Sequence, residues 1–114
     1  MVDDYPNAAD LLCEMATSAG FVCEAASSDV EAYRALASRE RYSALIVDVN
    51  LGPGTTGFDV ARFARQMHPQ LGVIYISGEV SDASFMTFGV PASQFLGKPI
   101  DVDALATALR LVVA

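Results

Sequence analysis

The sequence predicts an α/β fold in which helices pack on both faces of a parallel sheet, and three observations support this class. Short apolar segments alternate with amphipathic segments of helical period, as in strand–helix–strand units. The apolar segments are continuous rather than alternating, which is typical of strands buried on both faces. The clearest of them, Ala44–Asp48, ends at a carboxylate. We therefore expect a ligand site where the carboxyl ends of the strands meet.

The composition favours one globular domain over residues 1–114. A chain of 114 residues is long enough for one core and too short for two, and its 53% apolar content argues against disorder. Because no apolar run approaches the about 20 residues of a membrane span and no signal peptide is evident, we expect a cytoplasmic protein without a membrane partner. The net charge of −7, without a basic cluster, argues against direct binding of nucleic acid.

The two cysteines and the single histidine do not form a metal-binding pattern. Cys13 and Cys23 lack the spacing of a CxxC pair, and we expect both thiols to be reduced and structural. His68 is the only histidine in the chain, so a zinc site is not expected.

Five strand-like and five helix-like segments follow one another along the chain. The predicted strands are Met1–Val2, Phe21–Ala25, Ala44–Asp48, Gly72–Ser77 and Ser93–Gly97. The predicted helices extend over about Pro6–Ala19, Asp29–Ser38, Phe58–Met67, Ser81–Phe88 and Val102–Val112. Pro6 suits the first turn of the first helix, and Gly20 suits its left-handed end. Ser28 and Glu31 form a capping box for the second helix, and Asp101 caps the last.

This alternation predicts a three-layer sandwich with the flavodoxin-like strand order 2-1-3-4-5. In that order the first and third strands are neighbours, which places Asp3 and Asp4 beside Asp48. The fourth strand ends at Ser77, and Lys98 follows the fifth. The set provides carboxylates for a divalent ion such as Mg²⁺, one carboxylate as a nucleophile, and a hydroxyl and an amine for phosphoryl oxygens.

At these positions the chain resembles the receiver domain of bacterial two-component response regulators, in the chemotaxis-regulator-like superfamily, over essentially its whole length. The matching motifs are Val2-Asp3-Asp4, Asp48 after its apolar strand, Gly57, Ser77-Gly78, and Phe95 ahead of Lys98-Pro99. Ser77 lies 29 residues after Asp48, and Lys98 lies 21 residues after Ser77, in agreement with the family's spacing. Each motif alone is weak, whereas five in this order are specific.

The resemblance implies a phosphorylation site with bound Mg²⁺. Asp48 is similar to the family's phosphoacceptor, which takes a phosphoryl group from a sensor histidine kinase or a histidine phosphotransfer protein. Asp4 would ligate the metal directly, and Asp3 would act mainly through water. Asn50 would offer its backbone carbonyl. Such a domain is a signalling phosphoacceptor rather than an enzyme, with only self-phosphorylation and autodephosphorylation chemistry of its own.

The resemblance also implies a conformational switch. Ser77 resembles the hydroxyl that turns toward the phosphoryl group, and Phe95 resembles the aromatic side chain whose inward and outward rotamers follow phosphorylation. Lys98 resembles the amine that pairs with the aspartate and then with the phosphate. By the same resemblance, the Lys98–Pro99 peptide bond would be cis.

Two segments depart from the family's pattern. Only Met1 and Val2 precede the acid pair, so the first strand is truncated; a trimmed chain, a misplaced start and completion by a neighbouring molecule all stay open. The predicted fourth helix, Ser81–Phe88, has weak helix propensity. Its large apolar side chains cannot all point inward, which indicates an exposed face for a partner. These side chains are Phe85, Met86 and Phe88. In the family, this helix, the fifth strand and the fifth helix form the face that binds partners. The same face allows two copies of the chain to form a homodimer.

Three other functions are considered: a pseudo-receiver, a flavin binder and an aspartate-dependent phosphatase. A pseudo-receiver would keep the fold as a protein-binding module without phosphorylation; the truncated first strand favours it, and Asp48 with Lys98 argues against it. A flavin binder would need a phosphate-cradling loop where Asp3–Pro6 stands. An aspartate-dependent phosphatase would need a second acid where Asn50 stands. A Mg²⁺-dependent reaction with a small phosphodonor or beryllofluoride separates a working receiver from a pseudo-receiver.

Overall fold

The computed structural model describes residues 1–2, 6–38, 42–49, 56–78 and 89–113, with the backbone alone at residues 6–8. The helices in these ranges are α1 (Pro6–Ser18), α2 (Asp29–Leu36), α3 (Gly57–Met67) and α4 (Val102–Val113). The strands in these ranges are β1 (Ala44–Asp48), β2 (Gly72–Ser77) and β3 (Ser93–Gly97). These strands are the third, fourth and fifth predicted strands with the predicted bounds. The predicted helix at Ser81–Phe88 lies outside the described residues.

The three strands form one parallel sheet in the order β1-β2-β3. Asp48 pairs with Ile76, and Ser77 pairs with Gly97, so the carboxyl ends of the strands lie level with one another. β2 lies between the other two strands, and all of its residues are buried, as its continuous apolar sequence predicts. The sheet therefore brings the ends of β1 and β3 to the same edge, one strand apart.

The first and second predicted strands are reduced to bridges in the described part of the chain. Val2 forms isolated parallel bridges to Ala26 on one side and to Val47 on the other. Its N–H donates to the Ile46 carbonyl at 2.8 Å, and its carbonyl accepts from the Asp48 N–H at 2.8 Å. The described part of the first predicted strand is only Met1–Val2, and a ladder that can be described on either side of it needs more described residues on this strand. The bridges keep the predicted strand order.

Side chains from the two faces of the sheet form two apolar clusters. Val47 and Tyr75 lie in a cluster with residues of α2 and α3, whereas Ile46 and Ile74 lie in a cluster with residues of α1 and α4. Neighbouring residues of a strand point to opposite faces, so continuous apolar strands supply both clusters. The predicted α/β class, with helices on both faces of a parallel sheet, is confirmed. None of the helices in the described ranges is long and apolar enough to cross a membrane.

The ends of the first two helices agree with their sequence signals. Gly20 follows α1 with a φ angle of 96°, the left-handed conformation that was predicted for it. The Ser28 hydroxyl accepts from the Glu31 N–H at 3.1 Å, as expected of a cap. The Glu31 carboxylate accepts from the Ser27 N–H at 2.6 Å, one residue earlier than a capping box requires. This bond, together with one from the Ser27 hydroxyl to the same carboxylate, lowers the pKa of the Glu31 carboxyl.

A disulfide bond joins Cys13 and Cys23, so the prediction of two reduced thiols is wrong. Their Cα atoms lie 5.3 Å apart, which is an ordinary separation for such a bond. Gly20 turns the chain back after α1, and the Phe21 N–H then donates to the Ala16 carbonyl at 3.1 Å. The returning chain therefore passes Cys13 three residues after the turn. The sequence argument used spacing and compartment alone, and neither reveals this return.

Candidate functional site

The centre of the candidate site is an ion pair between the ends of two strands. Asp48 ends β1 and Lys98 follows β3, and the Lys98 Nζ atom donates to the Asp48 Oδ2 atom at 2.7 Å. The Asp48 side chain is 5% exposed, whereas that of Lys98 is 34% exposed. A buried carboxylate needs charged or hydrogen-bonding partners, and this ammonium is one of them. The pair places a carboxylate and an ammonium side by side at this edge of the sheet.

Ser77 lies at the end of β2, between the strands that carry the ion pair. It is buried, and its carbonyl accepts from the Lys98 N–H at 3.0 Å. On the other side of β2, the Val49 N–H donates to the Ile76 carbonyl at 3.0 Å. Backbone bonds thus fix the segments after β1 and β3 to the end of β2. The structure brings Asp48, Ser77 and Lys98 to one edge of the sheet.

Gly57 attaches the start of α3 to the same edge. Its N–H donates to the Val49 carbonyl at 2.8 Å, directly after Asp48. Thr56 and Asp59 form a capping box at this helix start. Gly57 was part of the resemblance, but a packing role for it was not foreseen from the sequence.

Phe95 lies in β3 opposite Tyr75 of β2. It is partly buried and packs against the apolar cluster that contains Tyr75 and Phe58. The Tyr75 and Phe58 rings lie 5.0 Å apart between centroids, and the Tyr75 hydroxyl accepts from the Val90 N–H at 3.0 Å. Burial raises the pKa of the Tyr75 phenol. Sequence reasoning missed Tyr75, although a hydroxyl within a fully apolar strand is a signal that a partner exists.

Arg65 fixes the segment that leads into β3, and the sequence analysis did not single it out. Its Nε atom donates to the Leu71 carbonyl at 2.7 Å. Its two terminal nitrogens donate to the Pro91 carbonyl at 2.6 Å and to the Ala92 carbonyl at 3.2 Å. Ala92 has a positive φ of 55°, so these bonds hold an otherwise unfavourable turn.

The Lys98–Pro99 peptide bond is cis, which confirms that prediction. The predicted site residues that lie outside the described residues are Asp3, Asp4, Asn50, Phe85, Met86 and Phe88. Among the side chains of the described ranges, no group of three or more His, Cys, Asp or Glu could hold a metal ion. Of the four predicted metal ligands, only Asp48 has a described position.

Fold and site together define a small α/β domain with an acid–amine pair at the carboxyl edge of its parallel sheet. The family model of the response regulator receiver domain matches residues 1–110, and the chain belongs to this family. The membership that the sequence motifs predicted is therefore confirmed.

Relatives and solved structures agree with this assignment. The chain is 33% identical to the response regulator protein PilR of Pseudomonas aeruginosa over 116 residues, covering 97% of this chain and 26% of PilR. It is 30% identical to the DNA-binding transcriptional regulator NtrC of Escherichia coli K12 over 114 residues, covering 98% of this chain and 24% of NtrC. A response regulator receiver protein from Sinorhizobium medicae superposes with a TM-score of 0.91 at 30% identity, covering 98% of this chain and 90% of that one. The chain spans about a quarter of the length of PilR and NtrC.

Proposed function

We propose that Asp48 is the phosphoacceptor of a two-component phosphorelay. The donor would be a sensor histidine kinase or a histidine phosphotransfer protein. The observation that supports this proposal best is the buried Asp48 carboxylate, 2.7 Å from the Lys98 ammonium at the carboxyl edge of a parallel sheet. Ser77 lies at the same edge, between the two. A carboxylate, a cation and a hydroxyl suit an incoming phosphoryl group.

In the proposed reaction, a carboxylate oxygen of Asp48 attacks the phosphorus atom of a phosphohistidine on the donor. The new P–O bond forms as the P–N bond breaks, and the imidazole nitrogen leaves with the bonding electrons and is protonated. Negative charge then lies on the phosphoryl oxygens next to Asp48. The Lys98 ammonium is already beside this carboxylate and would stabilise that charge, which is the main task of a protein in phosphoryl transfer.

Magnesium is the proposed cofactor, because the acids predicted for this edge provide the hard oxygen donors that Mg²⁺ prefers. The proposed ligands are Asp48, Asp4, Asp3 through water, and the backbone carbonyl of Asn50. The position of Val2 supports these ligands. Val2 forms a bridge to Val47, the residue before Asp48, and Asp3 and Asp4 directly follow Val2 in the sequence. When bound, the ion would offset the charge that the carboxylates and the phosphoryl group bring together.

In this proposal, phosphorylation of Asp48 changes the surface to which Ser81–Phe88, β3 and α4 contribute. The Ser77 hydroxyl would turn toward the phosphoryl group, and the Phe95 ring would change its rotamer. Phe95 is suited to this because it is only partly buried, beside the Tyr75 cluster. The proposed partner residues on this surface are Phe85, Met86 and Phe88. A partner protein or a second copy of the chain would bind there.

The second candidate is a pseudo-receiver that binds a protein without being phosphorylated. One observation favours it: within the described residues, the first strand next to β1 is represented by the bridges of Val2 alone, and it is the strand that flanks Asp48 on that side. The intact Asp48–Lys98 pair favours the phosphoacceptor, because a pure binding module has no need of a buried charge at this edge.

Beryllofluoride, which mimics a phosphoryl group on aspartate, separates these two functions. We would titrate it with Mg²⁺ and follow the amide NMR signals of Ser77, Phe95 and the Ser81–Phe88 segment. The phosphoacceptor predicts saturable, Mg²⁺-dependent shifts that disappear in Asp48→Asn. Asp10→Asn is the matched control, because it removes an exposed carboxylate of α1 and should respond like the parent chain.

A second readout is the covalent product itself. Acetyl phosphate with Mg²⁺ should add one phosphoryl group to the parent chain and to Asp10→Asn, seen as a mass increase on the intact protein. Asp48→Asn should gain none. A folded parent chain that shows neither the shifts nor the added mass would leave the pseudo-receiver as the function.

A further inference from the structure

In the described ranges, the segment that carries Cys23 is not held by a ladder of strand hydrogen bonds, unlike β1, β2 and β3. Phe21–Ala25 follows the turn at Gly20 and contains no strand, and the Val22 side chain is fully exposed. A cavity of about 700 Å³ lies between this segment and the start of β1, lined on that side by Ser43–Ile46. Among the described residues, the segment has no strand ladder to a neighbour, and only the bridge of Val2 to Ala26 follows it.

The same segment fixes the first two residues of the chain. The Met1 amine donates to the Glu24 carbonyl at 2.8 Å, and the Ala26 N–H donates to the Met1 carbonyl at 2.8 Å. Val2, the next residue, accepts from the Asp48 N–H at 2.8 Å. A short series of backbone bonds thus leads from the residue after Cys23 to the backbone of Asp48.

The disulfide is a covalent cross-link between this segment and α1. Cys13 lies within α1, whose inner face packs on the sheet, and Cys23 precedes Glu24 directly. Both cysteines are half-buried, so small thiols and disulfides can reach them. The state of this bond consequently determines how firmly the segment is held against α1.

We propose that Cys13 and Cys23 form a reversible redox pair whose oxidation by a low-molecular-weight disulfide fixes Met1–Val2 in the sheet beside Asp48. One cysteine thiolate attacks the disulfide, forms a mixed disulfide and releases one thiolate. The second cysteine thiolate attacks the mixed disulfide, closes the Cys13–Cys23 bond and releases the other thiolate. Two protein thiols are oxidised, and one disulfide is reduced to two thiols. Reduction by excess thiol reverses both steps.

This inference has a structural part and a signalling part. The structural part, tighter holding of Met1–Val2, stands by itself. The signalling part, easier phosphorylation of the oxidised chain, rests on the proposed function of Asp48.

Hydrogen exchange tests the structural part on the full chain. We would equilibrate the protein in buffers of reduced and oxidised glutathione and confirm the state of the pair by thiol alkylation and intact mass. The reporters are the Ala26 and Asp48 amides, which donate to Met1 and Val2, and the Lys98 amide, which donates to Ser77, is the internal control. Reduction should accelerate exchange at the two reporters about tenfold or more and change the control much less. The Cys13→Ser/Cys23→Ser variant should exchange like the reduced chain in both buffers.

Three results would overturn the inference: thiols that stay reduced in oxidised glutathione, disulfides that form between molecules, or equal changes at reporters and control. Beryllofluoride binding to both redox forms then tests the signalling part. Weaker binding to the reduced form supports it, and equal binding to both forms overturns it. An absence of binding in both forms, together with redox-dependent exchange, would reject the role of Asp48 and leave the redox pair standing.

Discussion

Gly57 lies directly against the backbone of Asp48. A Cβ atom on Gly57 would come within 2.9 Å of the Asp48 carbonyl carbon and the Val49 Cα atom, and closer still to the Asp48 carbonyl oxygen. Because these are backbone atoms, they cannot move aside as the end of a flexible side chain could. The close approach lets α3 begin directly behind the candidate phosphoacceptor.

Gly57→Ala should therefore destabilise the fold, even though alanine is the better helix former. We expect a loss of about 2–3 kcal/mol in the free energy of unfolding, since overpacking against backbone forces the helix start away from β1. Urea unfolding measures this loss. Gly97→Ala is the matched control, because among the described residues its Cβ would meet only the Ser77 carbonyl oxygen, at 4.0 Å. Equal stability of the two variants would contradict the packing argument.

The ion pair of Asp48 and Lys98 should show coupling in a double-mutant cycle. Lys98→Met removes the ammonium from a carboxylate whose side chain is 5% exposed, and we expect a cost of about 1–2 kcal/mol. The partial exposure of Lys98 keeps this cost below that of a fully buried pair. In the Asp48→Asn background, the same change should cost at least about 1 kcal/mol less.

Denaturant unfolding of the four proteins in this cycle measures the coupling. The pair of Arg62 with Asp59 is the control, because those side chains are 52% and 43% exposed. Its coupling should stay below about 0.5 kcal/mol. Additive effects of Lys98→Met and Asp48→Asn would show that the ammonium does not stabilise the buried carboxylate.

In a protein chain that begins at Met1, the amine of this residue should make stability depend on pH near neutrality. Burial lowers the pKa of this ammonium from 8.0 to about 6, and the nearby charge of Glu24 opposes the shift. Between these values the unfolded chain binds more protons than the folded one, so stability increases as the pH rises from about 6 to 8. The shift corresponds to about 2–3 kcal/mol over this range. Unfolding experiments at several pH values measure it.

A chain acetylated at Met1 is the control for this pH dependence, because it has no amine to titrate. It should lose most of the increase between pH 6 and 8. The same increase in both chains would assign the effect to another group.

Sequence patterns predicted the parts of this fold that depend on local periodicity and strand direction. The bounds of β1 and β2 were predicted because each contains a continuous apolar run that stops at a polar residue, and β3 was predicted from the shorter run Phe95-Leu96 that ends at Gly97. The meeting of Asp48 with Lys98 followed from topology, since parallel strands bring their carboxyl ends to one edge. Neither prediction depended on the path of a loop.

The features that were missed depend on the path of the chain between elements. The bonds of Arg65 end on carbonyls of the turn before β3, and the Cys13–Cys23 bond depends on the return after Gly20. Neither path leaves a periodic pattern in the sequence. The second predicted strand shows one bridge rather than a ladder among the described residues, and its pairing depends on a neighbouring strand as well as on its own residues.

Tyr75→Phe should destabilise the segment before β3 without disturbing the apolar cluster. The ring stays, but the buried Val90 N–H loses the acceptor that lies 3.0 Å away. A buried donor that loses its acceptor costs about 1–2 kcal/mol, so we expect a loss of that size in the free energy of unfolding. Hydrogen exchange should also become faster at the Val90 amide.

Tyr33→Phe is the matched control for this change. Tyr33 is half-buried and packs edge-on against Phe63 at 4.9 Å between ring centroids, a contact that phenylalanine preserves. Its loss of stability should stay below about 0.5 kcal/mol. If Tyr75→Phe were equally mild and Val90 exchange unchanged, the hydroxyl of Tyr75 would contribute nothing to the stability of the segment before β3.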